Sequence, residues 1–126
     1  CINCDIIPIL CVGESLIQKK ENLTKEILKD QLINSLPKNI NLKNIIIAYE
    51  PIWSIGTGVV PTVDEINEIH NYIKGSILGD KNTKVLYGGS VKANNYKELI
   101  NLTAVDGLLV GGASINLDEF NKIIEF

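Results

Sequence analysis

Methionine and arginine are both missing from the 126 residues, histidine and tryptophan occur once each, and the longest apolar runs are short. A membrane span needs roughly 20 consecutive apolar residues, and no signal peptide is visible, so a cytoplasmic protein without membrane contact is expected. All 12 basic residues are lysines, scattered among 15 acidic ones for a net charge of −3. No basic stripe is interleaved with aromatics, so nucleic acid is not an expected partner. Three cysteines and one histidine complete no metal set, and no metal is expected. Cys4 and Cys11 flank and occupy an apolar strand and are expected to be reduced, buried thiols. The opening Cys1-Ile2-Asn3-Cys4 does not resemble the start of a gene product, which points to part of a longer protein.

What is present is an alternation of strands and helices that suits a parallel α/β fold. Strands are predicted at 6–12, 44–49, 83–87 and 107–110. A helix is expected from Ser15, broken near Asn22 and resuming at Thr24, with Ile27, Leu28, Gln31, Leu32, Ser35 and Leu36 inward and Pro37 as its stop. Thr62-Val63-Asp64-Glu65 has the capping-box pattern, ahead of an inner face of Ile66, Ile69, Ile73 and Ile77. Gly79-Asp80-Lys81-Asn82 reads as a turn. A third helix is expected from Asn94, burying Tyr96, Leu99 and Ile100, and a last one near Leu117, carrying Phe120, Ile123 and Ile124. No linker divides the chain, so residues 1–126 are expected to form one domain of four βα units with two open sheet edges.

Ala48-Tyr-Glu-Pro-Ile-Trp-Ser-Ile-Gly-Thr-Gly58 carries most of the functional information. Glu50 falls at the C-terminal end of a strand that is apolar on both faces, where barrel enzymes keep their catalytic groups. Pro51 stiffens the exit, Trp53 is an amphipathic anchor, and Gly56 and Gly58 allow the loop backbone near a ligand. On position alone, Glu50 reads first as an ordinary surface glutamate at a strand end.

That run resembles the signature of the triosephosphate isomerase family. Cys-Val-Gly-Glu at 11–14, Tyr-Gly-Gly-Ser-Val at 87–91 and Val-Gly-Gly-Ala-Ser at 110–114 follow the family's order and spacing. The resemblance covers essentially the whole chain and implies the C-terminal half of a (β/α)8 barrel, since a complete one needs roughly 250 residues. It implies a cofactor-free isomerase that interconverts dihydroxyacetone phosphate and glyceraldehyde 3-phosphate, with Glu50 as the base (a role and a lid for which this family is itself a standard worked case). It assigns the phosphate to Gly56, Ser90 and Gly112, with Gly111 alongside. Converging backbone N–H groups hold such a dianion, and barrels often place the site after their last two strands.

The resemblance further implies a lid over 51–61. Tyr49 and Glu14 would bind Trp53 in its open and closed positions respectively, and Tyr87 and Ser90 would receive the closed loop. Two departures stand out. Tyr87's usual partner, a backbone N–H, falls at Pro61, which has none. Lys74 replaces the usual arginine opposite Asp106, keeping the charge and losing the fork. The family's lysine and histidine electrophiles belong to an N-terminal half not in this sequence, and His70, mid-helix, is expected to be structural or at the surface. The expected partners are a triose phosphate, the N-terminal half-barrel and, for the complete enzyme, a second copy in a homodimer. This chain alone is expected to be inactive. Two alternatives remain: a non-catalytic half-barrel that acts by assembly, and a different phosphate-binding barrel enzyme.

Overall fold

A computed structural model describes Cys1 and residues 4–125. Its strands β1 (Ile9–Val12), β2 (Ile46–Tyr49), β3 (Lys84–Tyr87) and β4 (Gly107–Leu108) form one parallel sheet in the order β1-β2-β3-β4. The helices α1 (Leu16–Lys20), α2 (Thr24–Ser35), α3 (Val63–Asn71), α4 (Tyr96–Ile100) and α5 (Leu117–Ile124) fill the crossovers and the end of the chain. Among the described residues no helix is long and apolar enough to cross a membrane.

Register sorts the strand residues onto two faces. Val12, Tyr49, Tyr87 and Leu108 are successive partners across the sheet, as are Leu10, Ile47 and Val85 one layer below. These belong to the core, with Leu28 and Leu32 of α2, Ile66 and Ile69 of α3, Leu99 of α4 and Ile123 of α5. The opposite face carries Ile9, Cys11, Ile46, Ala48 and Leu86 and is open along β1, where Ile9 is 44% exposed, while Ala48 is buried. The expectation of buried thiols is therefore wrong: Cys4 and Cys11 are free and exposed. β1 is an edge strand, and Cys11 shares its face with the exposed Ile9.

The strands are shorter than predicted. Pro8 has no N–H to give, although its carbonyl takes the Ile46 N–H at 3.0 Å, and β1 starts at Ile9, three residues later than predicted. Leu42–Asn44 close a 3-10 turn, which delays β2 to Ile46. Thr83 N–H turns back to Asp80 O, leaving β3 to begin at Lys84. β4 pairs on one side only and lasts two residues.

Helix starts follow side-chain chemistry. Ser15 caps α1 and Thr62 caps α3, each in a reciprocal capping box, with Gln18 and Glu65 respectively. Asn22, at φ +59°, makes the break between α1 and α2. Leu36 is extended ahead of Pro37, as a residue before proline must be, and ends α2. Within α2 only Leu28 and Leu32 are fully buried, and Ser35, expected inward, is exposed. α4 begins at Tyr96, two residues beyond the predicted start. Past Asn71, α3 widens into a π-helical turn over Tyr72–Ile77, which the 3.6-residue periodicity of its isoleucines did not announce. Lys74, in that turn, lies 2.6 Å from Asp106, which also accepts the Val85 N–H at 2.8 Å. Burial opposes the Asp106 carboxylate, but the Lys74 ammonium and the Val85 N–H outweigh it and hold its pKa below the usual value.

Candidate active site

Glu50 leaves β2 between two strand exits. Because Val12, Tyr49 and Tyr87 are in register, Gly13, Glu50 and Gly88 follow as a row on three neighbouring strands. A Cβ at Gly13 would fall 1.8 Å from Glu50 O, and one at Gly88 would fall 2.5 Å from Glu50 Cγ. Glycine on both sides is what lets this carboxylate sit at the sheet rim. Gln31 of α2 pins Gly13 in turn: its amide accepts the Gly13 N–H and donates to Gly13 O, each at 2.9 Å.

Glu50 lines a cleft of about 590 Å³ together with Gly56, Ser90, Gly111 and Gly112. A Cβ at Gly56, Gly111 or Gly112 would meet no atom within 4 Å, so packing does not explain these glycines and their backbone lies open to the cleft. Gly112 opens a 3-10 turn over Gly112–Ile115, whose start carries no side-chain cap. Lys92 is the one cation among the lining residues, against Glu50 and Glu119. Glu50, the three glycines, Ser90 and Lys92 thus line one cleft, with a carboxylate at one side and a single cation at the other.

The loop from Pro51 to Pro61 runs over this cleft. Gly56 and Gly58 take φ of +69° and +79°, where a side chain would be strained. Trp53 Nε1 donates to Glu14 Oε1 at 2.8 Å, and the Tyr49 hydroxyl donates to the same oxygen at 3.2 Å. Gly58 N–H donates to Ser90 Oγ at 3.1 Å. Tyr49, Glu14 and Trp53 thus gather at the first hinge and Gly58 with Ser90 at the tip, while Pro51 is buried at the exit of β2. Burial raises the Tyr49 phenol well above its usual range, and the Glu14 charge adds to this.

The Tyr87 hydroxyl lies 3.3 Å from Ser54 Oγ. Burial raises the pKa of the Tyr87 phenol. Cys11 is the neighbour of Glu50 on the open face. Partial burial of its sulfur and the Glu50 carboxylate push the thiol up to about 11, so it stays protonated at neutral pH. His70 is not in the cleft. It is fully buried behind the site, its ring 6.0 Å from Tyr49 and 6.5 Å from Tyr87, which removes the surface alternative.

Three participants had no signal in the sequence. Lys19 lies 4.6 Å from the Trp53 ring centroid and pairs with Glu65 at 2.7 Å, joining the first hinge of the loop to the helix after the second. Lys92 lies outside the motifs, and Ser54 lies inside the longest of them without being singled out.

The family model described as triosephosphate isomerase matches residues 1–126. Among curated relatives, triosephosphate isomerase of Rhizobium meliloti is 45% identical over 125 residues, which is 94% of this chain and 48% of that protein. That of Mycoplasma mobile is 46% identical over 121 residues, 96% of this chain and 49% of its own length. The crystal structure of triosephosphate isomerase from Bartonella henselae superposes with a TM-score of 0.78 at 40% identity, covering 91% of this chain and 47% of that one. The chain spans about half the length of the curated relatives it matches.

Proposed function

The chain belongs to the triosephosphate isomerase family, and on that premise we propose that residues 1–126 form a single partial domain of an isomerase acting on triose phosphates. Glu50 removes the proton beside the carbonyl of dihydroxyacetone phosphate and returns it at the neighbouring carbon, through an enediolate. Gly56, Ser90, Gly111 and Gly112 hold the phosphate through backbone N–H groups. The 51–61 loop is the lid that excludes water while the enediolate exists. Trp53, Glu14, Tyr49, Gly58, Tyr87 and Ser90 hold that lid. The protein needs no cofactor, works in the cytoplasm and forms a homodimer when complete.

One observation carries this reading: a rim carboxylate, freed by flanking glycines, shares a cleft with three glycines that nothing packs against. The exposed sheet face with Ile9 and Cys11 supports a partner in the N-terminal half of the barrel, which also supplies the electrophile for the enediolate oxygens. Such electrostatic stabilisation is usually the largest catalytic contribution. The test is an isomerase assay on the full-length protein and on residues 1–126 alone. Turnover by the first with none by the second is expected. No turnover by the full-length protein would overturn the function, and turnover by the monomeric fragment would overturn the division of labour between the halves.

A further inference from the structure

We infer that Ser54 is a positioning residue of the isomerase reaction, fastening the lid to the exit of β3 through Tyr87 and Ser90. The inference rests on the isomerase reading for its catalytic consequence, while its structural part is independent of that reading. Ser54 is fully buried, in a loop whose neighbours Ile52, Ile55 and Val59 are exposed. Its hydroxyl lies 2.6 Å from Val59 O, 3.2 Å from Ser90 N and 3.3 Å from Tyr87 Oη.

Counting protons gives these contacts a direction. A serine hydroxyl has one proton and two lone pairs. Val59 O can only accept, so the Ser54 proton goes there. Ser90 N–H can only donate, which takes one lone pair. Tyr87 must then donate to the other, and the hydroxyl is satisfied on every side. A second relay runs beside it: Gly58 N–H donates to Ser90 Oγ at 3.1 Å, and Ser90 Oγ–H donates to Ser54 O at 2.7 Å. Both relays begin or end on the lid and pass through Ser54 and a residue that follows β3.

The surroundings are shaped for this junction. A Cβ at Gly89 would fall 2.1 Å from Tyr87 Oη and 2.7 Å from Ser54 Oγ, so a side chain there would occupy the space of the Tyr87–Ser54 bond. Pro61 has no N–H to offer the Tyr87 hydroxyl from the far end of the lid. Ser54 is the one partner of that hydroxyl among the described residues.

Replacing Ser54 with alanine leaves a buried phenol and the Ser90 N–H without partners while the lid is down. A raised lid lets water reach both. An unsatisfied buried group therefore shifts the balance toward the raised lid by roughly tenfold. The full-length protein with Ser54→Ala, Ser54→Cys, Tyr87→Phe and the double variant Ser54→Ala/Tyr87→Phe is assayed for kcat/KM, thermal midpoint and hydrogen exchange of the lid amides. Expected are a roughly tenfold loss of kcat/KM and faster exchange at Gly58 in Ser54→Ala, a change of the same sign in Ser54→Cys, and little further loss when Tyr87→Phe is added. A purely structural role would lower the thermal midpoint and leave kcat/KM of the folded variant and exchange at Gly58 as in the unsubstituted protein. Wild-type kcat/KM and lid exchange in Ser54→Ala, or in Ser54→Cys should the alanine variant not fold, would overturn the inference. Absence of turnover in the unsubstituted protein would count against the isomerase reading instead, and lid exchange would still decide on Ser54.

Discussion

Gly88 faces Glu50 so closely that a Cβ built on it would lie 2.5 Å from Glu50 Cγ, 3.1 Å from Cδ and 3.3 Å from Oε2. The glycine is thus part of the seat of the carboxylate. Gly88→Ala must push the Glu50 side chain aside, since the backbone here is tied by Gly88 N–H to Tyr49 O at 2.9 Å. A displacement of about 1 Å at a reacting group can cost about a hundredfold in rate. The full-length variant is expected to lose about that much kcat while inorganic phosphate inhibits it as in wild type. A variant with normal kcat would show that the carboxylate does not need this seat.

Glu50→Asp keeps the charge and retracts the carboxylate by one methylene. On the isomerase reading, proton abstraction slows by about a hundredfold or more, with KM little changed. Steady-state kinetics of the full-length protein are the measure. Unaltered turnover would remove Glu50 from the role of base.

Gly112→Val tests the anion cradle. No protein atom lies within 4 Å of a Cβ at Gly112, so the fold should accept the side chain and only a ligand in the cleft should meet it. KM for the triose phosphate and the inhibition constant of inorganic phosphate are expected to rise together by about tenfold or more, with the thermal midpoint nearly constant. Equal phosphate inhibition of the variant and wild type would place the anion elsewhere.

The parts of this molecule that were legible in its sequence are those where local chemistry decides alone. Ser15 with Gln18 and Thr62 with Glu65 form the caps at α1 and α3 because a hydroxyl and an amide or carboxylate three residues apart satisfy orphan N–H groups without outside help. Strand lengths were less legible, because pairing of β1 and β4 depends on neighbours beyond the run itself, and each has a partner on one side only. Burial of Cys11 was misjudged for the same reason: an apolar run does not reveal that one of its faces is left open. In the site, Glu50 and the glycines stood out through their motif, whereas Ser54 and Lys19 act through residues far along the chain, Tyr87 and Ser90 for the first and Trp53 and Glu65 for the second. Such contacts exist only once the sheet has assembled.

His70 gives the fold a specific acid sensitivity. Burial, assisted by the charge of Lys74 and opposed by that of Asp106, lowers its pKa from 6.5 to about 4, and neither ring nitrogen has a hydrogen-bond partner among the described residues. Tyr49 and Tyr87 pack on the ring from the sheet side. The folded protein therefore holds the imidazole neutral where the unfolded chain would protonate it. A depressed histidine contributes stability in full above pH 6.5 and loses it as pH falls from 6.5 towards 4. By linkage the loss is on the order of 2 kcal/mol at about pH 5 and about 3 kcal/mol near pH 4. Asp106 and Glu65, whose pKa values lie below 3.8 and 4.5, lose their contributions at lower pH, so the upper part of this window belongs to His70. Urea unfolding of the full-length protein at pH 7.5 and pH 5 is expected to show this difference, and His70→Leu to remove most of it. An equally steep pH dependence in His70→Leu would locate the sensitivity in another group.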